Sequence, residues 1–152
     1  MHPEERRLRE ELAALARTGH GRRLLQLSLR SLEEGSRGLT AGCWSDRGIA
    51  GCLFQHAYWQ GVKEGLFEDR GRPGDWIGGL VGSNDYGTVL RAIEAFDDLG
   101  KRHFASVSRR RLMPDRRDIR TDEWGDAVER ILIDTLSGAS APDAREPAGA
   151  AG

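Results

Sequence analysis

Cys43, Cys52 and His56 stand close together in one stretch, Ala41 to Gly65, AGCWSDRGIAGCLFQHAYWQGVKEG, where thiolates and an imidazole could share a ligand or a reaction. On a helix Cys52 and His56, four positions apart, point the same way. Thiolate and imidazole are what zinc prefers, in a tetrahedron of four ligands. Cys43, Cys52 and His56 supply three, and a fourth would come from His103 or an acid. Eight residues separate the two cysteines, a spacing that matches no common zinc-finger pattern. The alternative for the same residues is two small buried hydrophobes and a hydrogen-bonded core histidine.

A cysteine that opens a helix can instead be a nucleophile, because the positive helix end lowers its pKa. GCLFQHAYWQG resembles the cysteine-bearing helix of papain-like and cell-wall-hydrolase cysteine peptidases. That resemblance implies Cys52 as nucleophile, His103 in HFASVS as base, and Asn84 or Asp115 orienting it. It covers about ten residues and one histidine, with no glutamine shortly before the cysteine and no strand-rich second half.

Anion chemistry has two further candidates. From Lys101 to Arg120, eight Lys and Arg residues oppose Asp115 and Asp118. Arg109, Arg110, Arg111, Arg116 and Arg117 in that segment could hold a phosphate backbone. No nucleic-acid reader motif accompanies them, and a solvated strip pairing with Glu94, Asp97 and Asp98 is the alternative. IGGLVGSNDYG, at 77–87, has the glycines of a phosphate cradle but neither the Walker lysine nor the dinucleotide spacing. Trp44 and Trp76 stand beside glycine in loops, where a large ring either caps the core or serves as a contact anchor.

Global properties bound these options. The chain of 152 residues fits one domain, and a net charge of −1 gives no overall field toward nucleic acid or an anionic membrane. Basic residues are lopsided, with 21 arginines against Lys63 and Lys101, as expected of a GC-rich genome. The charged N-terminus, MHPEERRLREE, has no signal-peptide core. No apolar run approaches the roughly 18 residues of a membrane span. A soluble, cytoplasmic protein with reduced cysteines is the expectation, with no membrane partner.

The positioning elements follow from hydrophobic period and punctuation. Pro3, Glu4 and Glu5 open a helix with Leu8, Leu12 and Leu15 on one face. A Gly-His-Gly link at 19–21 leads to a second helix, striped by Leu24, Leu25, Leu29 and Leu32 and stopped at Gly35. From about 49 to 64 the apolar residues nearly encircle the chain, which marks a central helix. A long Gly-rich loop spans 66–86. Asn84 or Asp85 caps a helix with Val89, Ile93, Phe96 and Leu99 buried before Gly100. Residues 103–108 form a short strand or continue that helix. Thr121 or Asp122 caps a last helix carrying Trp124, Val128, Ile131, Leu132 and Thr135.

The expected fold is mainly all-α, about five helices around the central one, with a domain at 1–138 and a disordered tail at 139–152. No complete set of catalytic residues or ligands converges in the sequence. The expected function is therefore a non-enzymatic protein-interaction or regulatory module. The alternatives are a thiol or zinc site on Cys43, Cys52 and His56, and anion or nucleic-acid binding through 101–120. Zinc is the one cofactor these residues could hold.

Overall fold

The first helix, α1 (Pro3–Ala16), begins with proline and has Glu4 and Glu5 in its first turn, where acids meet the positive end of the dipole. The structure, a computed structural model, describes residues 1–41, 45–46, 48, 50–69, 86–102 and 123–146. It describes side chains at 1–41, 48, 50–69, 86–102 and 124–138. Only Arg17 and Thr18 separate α1 from α2 (Gly19–Glu34). The Thr18 hydroxyl caps α2 by accepting from the Gly21 N–H at 2.9 Å. The Gly-His-Gly stretch is thus the first turn of α2 and no link. A Cβ on Gly21 would stand 2.1 Å from the Leu15 carbonyl oxygen, so the tight junction of α1 and α2 needs glycine there.

Gly35, left-handed at φ 72°, closes α2 and turns the chain into β1 (Gly38–Leu39). β1 pairs in parallel with β3 (Ala50–Gly51), and β2 (Ser45–Asp46) pairs antiparallel on the other side, giving the order β1-β3-β2. Residues 50 and 51 are therefore strand, where the apolar pattern extends the central helix back to 49. The helix itself, α3 (Leu53–Lys63), starts after Cys52. Leu53 through Tyr58 are all buried, as an encircling apolar pattern requires.

The chain leaves α3 through a Schellman turn. The Gly65 N–H reaches the Val62 carbonyl at 3.1 Å, and the Leu66 N–H reaches that of Gly61 at 2.8 Å. Gly65 takes the left-handed position, φ 77°. A Cβ on Gly61 would lie 2.1 Å from the Phe67 ring, so bare backbone at Gly61 lets Phe67 fold back onto the helix. That return brings Asp69 over Tyr58.

Two more helices follow among the described residues: α4, described over residues 86–102, and α5 (Glu123–Glu146). Gly100 lies within α4 and does not end it. A Cβ there would stand 2.4 Å from that of Ala41 and 2.9 Å from the Trp124 ring. Phe96 and Trp124 pack with ring centroids 5.3 Å apart. The α5 backbone is helical to Glu146, past the expected domain boundary at 138, and residues 147–152 lie outside the described residues.

One core cluster joins the five described helices: Leu8, Leu12 and Leu15 of α1, Leu24, Leu25, Leu27 and Leu32 of α2, Leu53, Phe54 and Ala57 of α3, with residues of α4 and α5. Leu27 is fully buried and Leu29 only partly, because α2 packs on α3 as well as on α1 and α5. Arg7 of α1 pairs with Glu94 and Asp98 of α4, two acids that the sequence pattern offers to the 101–120 arginines. Arg102 pairs instead with Glu4. No helix among the described residues is long and apolar enough to cross a membrane.

Candidate functional site

α2 reaches α3 through serines as well as leucines. Ser28 and Ser31, one turn apart, stand in the apolar stripe of α2 and are buried. The Ser28 hydroxyl donates to the Leu53 carbonyl at 2.8 Å. Ser31 Oγ is 2.8 Å from His56 Nδ1, and His56 Nε2 is 2.7 Å from the Gly38 carbonyl oxygen. A carbonyl only accepts, so Nε2 carries a proton, and in the neutral ring Ser31 then donates to Nδ1. His56 therefore ties α2, β1 and α3 together from a fully buried position.

This geometry bears directly on the zinc and thiol readings. Both His56 nitrogens already hold hydrogen bonds, and coordination through either would break one. Cys52 is the N-cap residue of α3 and lies in the hydrophobic cluster, 4% exposed. Among the described residues, no three His, Cys, Asp or Glu side chains are placed to hold a metal ion. Cys43, the proposed base His103 and its partners Asn84 and Asp115 lie outside the described residues. So do Trp44, Trp76, Arg109, Arg110, Arg111, Arg116 and Arg117, and the segments 70–85 and 103–122.

Above His56 the described residues form a cavity of about 620 Å³ between the C-terminal end of α2 and α3. Ser31 and Glu34 line it from α2, Ser36 and Arg37 from the following turn, and Gln55, Tyr58, Trp59, Gln60, Val62 and Lys63 from α3. Asp69 closes it, accepting from the Tyr58 hydroxyl at 2.9 Å. Trp59 stands edge-on to His56, with centroids 5.3 Å apart and planes at 85°. On its face lies the Arg37 guanidinium, 4.2 Å from the ring centroid. Gly51 makes room for this arrangement, since a Cβ there would be 2.6 Å from Gln55 Cγ and 2.8 Å from the Trp59 ring.

The charges around the cavity divide into two kinds. Glu34 accepts from Lys63 at 2.7 Å, and this bond holds its carboxyl below the usual carboxylate range. Just outside, Glu64 accepts from Arg30 Nε at 2.8 Å and from Nη2 at 2.9 Å, and is held low in the same way. Gln60 donates to Glu64 at 2.7 Å and to Glu34 at 3.3 Å, so its buried amide is satisfied. Arg37 and Asp69, by contrast, have no ion-pair partner among the described residues. Gln55 is 4% exposed, and its carboxamide makes no hydrogen bond to the described residues.

Of the residues singled out by type and spacing, only Cys52 and His56 are described, and neither opens into the cavity as a lining residue. Ser31, Arg37, Gln55 and Asp69 escape sequence reasoning. A faint signal existed for two of them: a serine inside a leucine stripe, and a glutamine between Phe54 and His56 on a helix apolar all round. Comparison with protein families, with curated proteins and with solved structures finds no match to this chain.

Proposed function

We propose that the chain is a non-enzymatic binding module of regulatory type, and that its working surface is the cavity between α2 and α3. One observation carries this reading. Gln55 is 4% exposed at the cavity wall, and its carboxamide makes no hydrogen bond to the described residues. Its amide atoms are not sealed away from the cavity, so a ligand there can bond them in place of solvent, whereas the Gln60 amide of the same helix already donates to Glu64.

The reading has a direct test. Gln55→Met keeps the volume and removes the polar group a ligand would meet, so the free protein should stay within about 1 kcal/mol of the natural chain. A screen of small molecules of diverse charge, followed through the Gln55 side-chain amide resonances, should give binders to the natural chain that Gln55→Met weakens. If no compound moves those resonances, the cavity is not the working surface.

A further inference from the structure

Among the described residues, the cavity wall holds one cation and one anion without an ion-pair partner, Arg37 and Asp69, and one amide without a hydrogen bond, that of Gln55. The Arg37 guanidinium carbon sits over Trp59, 4.2 Å from the ring centroid, and its N–H groups have no carboxylate partner among the described residues. Asp69 uses one oxygen on the Tyr58 hydroxyl and has no cation beside it among the described residues. The other two lining charges, Glu34 and Lys63, neutralise each other. A singly charged ligand would pair with one of Arg37 and Asp69 and leave the other as it was. A molecule with both charges would satisfy both.

Resting on the binding reading above, we infer that the cavity takes a small zwitterion of the α-amino-acid class, as the free amino acid or a dipeptide. Its carboxylate meets Arg37, its ammonium meets the open oxygen of Asp69, and its substituent lies toward Trp59 and Gln55. The Gln55 carboxamide, both donor and acceptor, favours a substituent with its own amide or hydroxyl. A cavity of about 620 Å³ is within the range of small-molecule sites and accommodates either size.

Three probes decide the matter by calorimetry and by the Gln55 and Trp59 side-chain N–H resonances: L-glutamine with glycyl-L-glutamine, N-acetyl-L-glutamine, and L-glutamine with its α-carboxylate amidated. The zwitterions should bind, and blocking either charge should weaken binding at least tenfold. Arg37→Gln and Asp69→Asn should each weaken it by a similar factor. Both positions are exposed, and the asparagine oxygen still accepts from Tyr58, so both variants should keep the native amide spectrum. Equal binding of the blocked compounds would overturn the zwitterion while leaving the cavity as a binding surface. Silence of all three probes, with hits in the wider screen, would overturn it in the same way. Silence of the wider screen too would overturn both readings.

Discussion

α2 is held to its neighbours by two kinds of contact. Where it shares a core with α1 and α5, the interior is leucine, valine and isoleucine, and polar bonds such as Arg9–Asp134 and Arg22 to the Leu136 carbonyl lie at the rim. Where it meets α3, Ser28 bonds the Leu53 carbonyl and the Ser31–His56–Gly38 chain is buried. Apolar packing is strong but undemanding about direction. A buried hydrogen-bonded chain is weaker in net terms, yet it fixes orientation, because any misplacement strands a polar group. Ser31, one link of that seam, also lines the cavity, so the geometry of the site depends on the less forgiving contact.

This contrast predicts an order of effects. Leu12→Ala, which empties a fully buried position on the apolar side, should cost about 3 kcal/mol or more in urea unfolding. Ser31→Ala should cost about 1–2 kcal/mol, because it removes the partner of His56 Nδ1 and the cavity beside it can admit water. The two should differ in kind as well. Leu12→Ala should leave the Gln55 and Trp59 resonances in place, whereas Ser31→Ala should shift them. A larger cost for Ser31→Ala, or an unmoved Trp59, would break the distinction between the two seams.

The same contrast explains what could be seen in the sequence. Helices held by apolar packing were legible, since Leu8, Leu12 and Leu15, or Trp124, Val128, Ile131 and Leu132, repeat at the helical period and are all buried. Glycines misled where tertiary contact decided their role. Gly100 looks like a helix stop, but it admits Ala41 and Trp124, and Gly19 and Gly21 look like a link because the Thr18 cap leaves little trace in the pattern. Ala50 and Gly51 join the helical pattern because small residues are neutral to period, while their strand pairing depends on residues 38–39 and 45–46. The cavity was the least legible part. Arg37 and Asp69 reach it through the left-handed turns at Gly35 and Gly65 and the seat of Phe67 on Gly61, none of which a motif encodes.

The smallest predicted effect lies at the rim of the α2–α3 seam and concerns pH. Glu34 and Glu64 are both held below the ordinary carboxylate range, chiefly by their bonds to Lys63 and Arg30. A carboxyl depressed on folding contributes stability in full above its unfolded pKa, about 4. That contribution is lost as pH falls through the lower folded value. Both pairs are solvent-exposed, so their weight is small and salt screens it. In thermal melts between about pH 6 and pH 3 at low salt, the natural chain should lose more of its melting temperature than the Glu34→Gln/Glu64→Gln variant. Added salt should bring the two curves together. Parallel curves at low salt would mean that the rim charges contribute nothing, and that Ser28, Ser31 and His56 carry the orientation of α3 without them.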